Sequence, residues 1–101
     1  MLKRFRTYQS AVSLYRDCKQ LSLPQYVRDQ LLRASLSICL NLAEGSAKRS
    51  PKDRHRFFRI AFGSLREVQA ILDTQDEAEE LAQSADRLSA QLICLCRSFS
   101  G

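Results

Sequence analysis

What most constrains this chain is how rarely it is interrupted. Its 101 residues hold two prolines, Pro24 and Pro51, and three glycines, the last of which is the final residue. Gly and Pro are the strongest local breakers of regular structure, so long unbroken segments remain between them. Those segments are rich in Leu, Ala, Arg, Gln and Glu, all good helix formers. An all-α chain follows, and the length suits one domain spanning residues 1–101. A domain of this size buries limited surface, so oligomerisation is a common supplement.

The apolar periodicity divides the chain into four helices. Residues 4–19 carry Phe5, Tyr8, Val12, Tyr15 and Cys18 at spacings of three or four, with Lys19 at the negative end of the helix dipole. Pro24 stops that pattern and opens a second helix over residues 24–47. On a helical wheel its apolar residues cover roughly 240°, against a narrow polar stripe of Gln30, Arg33, Ser37, Asn41 and Glu44. A single bundle needs an apolar stripe of only about 100°. The excess predicts a partner subunit, met through Leu32, Leu36, Leu40 and Ala43.

Ser50-Pro51 opens the third helix, with Ser50 as cap, Pro51 in the first turn and Asp53 near the positive helix end. Phe57, Phe58, Ala61, Phe62, Leu65, Val68 and Leu72 form its core face, while Lys52, Arg56, Arg59, Arg66 and Gly63 lie opposite. Thr74-Gln75-Asp76-Glu77 reads as a capping box that starts the fourth helix. Leu81, Ala85, Leu88, Leu92, Leu95 and Phe99 then repeat as a heptad. Four helices with short turns predict an up-down-up-down antiparallel four-helix bundle.

Charge is divided unevenly along this frame. Residues 1–66 hold 14 of the 16 Lys/Arg and only four acids, while residues 67–101 hold seven acids. In the expected topology Lys3, Arg4, Arg6, Lys48, Arg49, Lys52, Arg54, Arg56 and Arg59 gather toward one end, and Asp73, Asp76, Glu77, Glu79 and Glu80 at the other. A basic end of this kind suits a polyanion. Most of its side chains are Arg, whose planar fork matches phosphate. A solvated helix end explains the same charge run without any ligand. With Phe57, Phe58 and Phe62 on the core face no row of aromatics is free to stack on bases, so phosphate contact independent of sequence is expected.

Leu23 to Leu72 resembles the four-helix-bundle family encoded by intervening sequences of bacterial large-subunit ribosomal RNA genes, a family related to the accessory variability proteins of diversity-generating retroelements. The resemblance rests on Asn41-Leu42-Ala43-Glu44-Gly45-Ser46, on the basic turn Lys48-Arg49-Ser50 with Lys52-Asp53, and on Arg56-Phe57-Phe58-Arg59-Ile60-Ala61-Phe62-Gly63-Ser64-Leu65-Arg66-Glu67. It implies assembly into a cyclic oligomer, a homopentamer with a basic surface. The retroelement members bind nucleic acid and a reverse transcriptase, so either RNA or DNA, or such a protein, is an implied partner. The short connection near residues 73–76 departs from the family, and the Asn-x-Ala-Glu-Gly pattern places the chain nearer the ribosomal branch.

No arrangement for catalysis stands out. His55 lies between Arg54 and Arg56 with no orienting acid at motif spacing. Glu44 and Glu67 fall at different heights, and helix-to-helix ion pairs with Arg59 or Arg33 suit them better than paired chemistry. Cys18, Cys39, Cys94 and Cys96 form no C-x-x-C, and buried thiols are the expectation. We therefore expect no enzyme activity, no cofactor and no metal. No apolar run reaches the about 18 residues of a membrane span, and the start lacks a signal-peptide pattern, so cytoplasmic placement is expected. Three functions remain: a nucleic-acid-binding scaffold, an adaptor for another protein such as a reverse transcriptase, and a purely structural oligomer.

Overall fold

The structure, a computed structural model, describes residues 5–100, with side chains to residue 97. Four helices account for most of it: α1 (Arg6–Gln20), α2 (Gln25–Ser46), α3 (Pro51–Asp73) and α4 (Glu79–Ser100). No strand occurs among the described residues. Each helix packs on the next, and α1 closes the square against α4. The directions alternate. Ser37 on α2 meets Ser64 on α3, hydroxyl to hydroxyl, at 2.8 Å. Gln69 on α3 donates to Asp86 on α4 at 3.0 Å. Asp17 and Leu21, where α1 ends, line one depression with Glu80 and Ser84, where α4 begins. The resulting bundle measures 40 × 21 × 18 Å.

The core runs along the axis of this square. Leu31, Ile38 and Leu42 meet Phe58, Leu65, Val68 and Leu72, with Leu88 and Leu92 completing the cross-section, all at 2% exposure or less. Each such side chain contributes about 1.5–3 kcal/mol of transfer free energy. In α1 the buried line is Thr7, Ala11, Leu14 and Cys18, while Phe5, Tyr8, Val12 and Tyr15 are only half-buried at its edge. The aromatic stripe expected to face inward is thus rotated to the flank. Small Thr7 and Ala11 take the innermost positions of α1, and the larger Tyr8 and Tyr15 pack beside them at the edge of the core.

The breakers act as the sequence implies, with one exception. Pro24 precedes α2 and its carbonyl accepts from the N–H of Val27 and Arg28. Ser50 caps α3, its Oγ accepting from the Asp53 N–H at 3.4 Å. Thr74, however, does not start α4. It ends α3 in a helical conformation, and its Oγ1 donates to the Ile71 carbonyl at 2.6 Å. Thr74 Oγ1 accepts from the Gln75 side-chain amide at 2.8 Å, and α4 begins at Glu79, beyond the two or three residues a cap reaches. The chain instead tucks Ala78 into the core at 3% exposure before α4 begins at Glu79. Glu79 and Glu80 then supply the acidic first turn that suits the helix dipole.

Lys3 and Arg4, assigned to the basic end, lie outside the described residues, as does the Phe99 side chain. Among the described residues no helix is long and apolar enough to cross a membrane.

Candidate nucleic-acid interface

The basic end is built around one close approach. Gly45 is buried near the end of α2, where a Cβ would stand 2.6 Å from Phe58 Cε1 and 3.1 Å from Phe57 Cβ. Only a residue without a side chain lets α3 start this near α2. The turn between them is then fastened from both sides. The Lys48 N–H bonds the Gly45 carbonyl at 3.1 Å, and Ser46 Oγ donates to the Ala43 carbonyl at 2.8 Å. Arg54 Nε donates to the Lys48 carbonyl at 2.7 Å, so a side chain of α3 satisfies the chain leaving α2.

Phe57 sits half-buried between two cations. Lys48 Nζ lies 5.2 Å and Arg56 Cζ 4.6 Å from its ring centroid. Such contacts are attractive and orient both cations toward the same end. Lys48 also pairs with Glu44 at 3.2 Å. That pair links adjacent turns and replaces the expected helix-to-helix bond from Glu44 to Arg59. The start of α1 joins through Phe5, whose ring lies 6.0 Å from that of Phe58, which brings Arg6 alongside.

Arg6, Arg49, Lys52, Arg56 and Arg59 are exposed here, and Lys48 and Arg54 are half-buried. Beside His55 of the basic run, the structure brings a further cation, Arg97, to this end. His55 and Arg97 line a groove with Arg59 where α4 returns past the start of α3. Arg97 was hidden in the acidic half of the sequence, and only the antiparallel return of α4 signals its place. The opposite end carries Asp17, Asp76, Glu77, Glu79 and Glu80 around a shallow depression. Arg28, near that end, has a structural task. Its Nη1 donates to the carbonyls of Lys19 and Leu21 at 3.0 and 3.1 Å, closing the C-terminus of α1.

The polar stripe of α2 becomes a seam. Asn41 Nδ2 donates to the Ser37 carbonyl at 2.9 Å and to Ser37 Oγ at 3.1 Å, and Ser37 meets Ser64 across the α2–α3 contact. The expectation of buried thiols holds for Cys18 and Cys39, but Cys96 is half-buried and Cys94 is exposed, because it falls on the outer face of α4. Burial pushes Cys18 and Cys39 up to about 11, and burial also raises Cys96. Fewer thiolates at neutral pH mean weaker nucleophiles. Among the described residues no group of three or more His, Cys, Asp or Glu is placed to hold a metal ion.

The four residues expected at a subunit contact divide by exposure. Leu32 and Ala43 are half-buried, while Leu36 is 39% and Leu40 59% exposed. Tyr26, Ile60 and Ile93 are exposed as well and were not foreseen. Ile60 and Ile93 fall within segments dominated by charge or by a core heptad, which masked them.

A family model described as 23S rRNA-intervening sequence protein matches residues 3–100. No curated protein matches the chain.

Proposed function

The chain belongs to the 23S rRNA-intervening sequence protein family, and from that premise we propose that it is a nonenzymatic, oligomeric scaffold that holds RNA or DNA by the phosphate backbone across its basic end. One observation carries the reading: the close packing at Gly45 and Phe58 draws cations from α1, the α2–α3 turn, α3 and α4 onto one end. The planar fork of arginine suits bidentate phosphate contacts. Phe57 has Lys48 and Arg56 over its ring, which favours backbone contact over base stacking. Repetition of the patch in an oligomer multiplies a weak contact. Exposed Leu36 and Leu40 support that assembly, and its subunit number and cytoplasmic setting are part of the proposal. So is kinship with the retroelement accessory variability proteins, supported by the basic turn and the arginine-rich start of α3.

Affinity for RNA and for DNA of mixed sequence, measured by anisotropy across a salt series, tests this. Affinity should fall linearly with salt on logarithmic axes and depend little on sequence. Charge reversal at Arg49, Lys52 and Arg56 should remove most of it. Reversal at Arg16, Lys19 and Arg87, distant from this end, should do less. Equal losses from both sets overturn the reading, as does undetectable binding at low salt.

A further inference from the structure

Three of the five large apolar side chains left exposed, Leu36, Leu40 and Ile93, lie on two different sides of the bundle. Leu36 and Leu40 form a ridge on α2 at helical i, i+4 spacing. Ile93 lies on the far side, where it lines the α3–α4 groove with Phe62, Gly63, Arg59 and His55. Gly63 is exposed, and a Cβ built there would meet nothing within 4 Å. A glycine inside a helix weakens it, and no neighbour within the subunit requires this one. The groove is therefore open at the height of its apolar floor.

We propose that the α2 ridge of one copy seats in the α3–α4 groove of the next, with Leu36 and Leu40 against Gly63 and Ile93. The proposal rests on the oligomeric reading above and gives it two unlike faces. A contact between unlike faces generates a ring when the rotation closes. An i±4 ridge fitting the groove between two helices is ordinary helix packing.

The charges agree with this pairing in register. Ser37 lies level with Ser64, so Leu40 lies level with Ala61 and Glu44 with Phe57. Gln69 lies level with Asp86, so Ile93 lies level with Phe62. Leu40 and Ile93 thus differ in height by about one residue, or about 1.5 Å. Rotation about an axis parallel to the helices keeps heights unchanged. Glu44 then comes level with the turn between His55 and Arg59. Arg33, one turn before Ser37, comes level with Asp86. The acid of the ridge meets the cations of the groove, and the cation of the ridge meets the groove's acid. An antiparallel approach reverses this match. Asp86 keeps its bond from Gln69, and Glu44 its pair with Lys48, since a carboxylate accepts several donors.

The test uses two single variants of the full chain, Leu40→Glu and Ile93→Glu, without nucleic acid. Both sites are exposed in the subunit, and circular dichroism checks that each variant stays helical. Light scattering should give the monomer mass for each alone. Mixed in equal amounts they should give twice that mass and no more, because each keeps the one face the other lacks. If Ile93→Glu keeps the wild-type mass while Leu40→Glu is monomeric, two α2 ridges pair with each other and the proposal is overturned. A monomeric wild-type chain also overturns it, yet leaves phosphate binding by single subunits to the salt series. Arg33→Asp should raise the dissociation midpoint about tenfold, and adding Asp86→Arg should restore it. A double variant no tighter than the single one sinks the register.

Discussion

Gly45 and Gly63 are both helical glycines, and their surroundings assign them opposite values. At Gly45 an added methyl group collides with the Phe58 ring at 2.6 Å, and Phe57 Cβ stands behind it at 3.1 Å. Gly45→Ala should cost about 1–3 kcal/mol, because overpacking forces the start of α3 outward. At Gly63 the same methyl group enters open space. Gly63→Ala should add about 0.5–1 kcal/mol by restricting the unfolded chain. Urea denaturation in a Leu40→Glu background, which keeps assembly out of the measurement, reads both effects. A stabilising Gly45→Ala would mean that Phe58 swings aside freely. The sequence displays both glycines identically, and only the position of a neighbouring ring separates them.

At the scale of elements, caps decide the turns. Ser50 accepts from the Asp53 N–H, whereas Thr74 donates to the Ile71 carbonyl behind it. Ser50→Ala should therefore lower stability by about 1 kcal/mol. Thr74→Ala should lower it by less than half as much, since hydroxyl back-bonding adds little to a helix. Thermal denaturation of the two variants checks the order, and equal losses would restore Thr74 as a cap. The four helices were legible from periodicity, since core leucines three and four apart leave one consistent wheel. Thr74 was misread because Thr-x-x-Glu fits both a capping box and a helix end. The α1 stripe was misread because large apolar residues outweigh Thr7 and Ala11 in any count, although those small residues take the innermost positions. The cations of the candidate site were mostly legible, as a run in sequence stays together at a turn. Arg97, Ile60 and Ile93 were not, since their setting depends on which helix returns beside which.

The whole molecule is a rod 40 Å long with its cations crowded at one end and its acids at the other. Side-by-side copies in the register proposed above would set all basic ends on one rim. Their mutual repulsion is screened over about 8 Å at physiological salt, and a bound polyanion neutralises it. Nucleic acid should then tighten the assembly that it binds. The same separation of charge gives each subunit a permanent dipole along its length, whatever the sum of its charges. The net charge of +5 at pH 7 suggests a protein that a positively charged resin ignores. A resin, however, meets the molecule end-on, and it selects the end that it attracts. In dilute buffer the protein should be retained by sulfonate beads through its arginines, and by quaternary-amine beads through Asp76, Glu77, Glu79 and Glu80. Chromatography would thus sort it by orientation, as though it were a cationic and an anionic protein sharing one backbone.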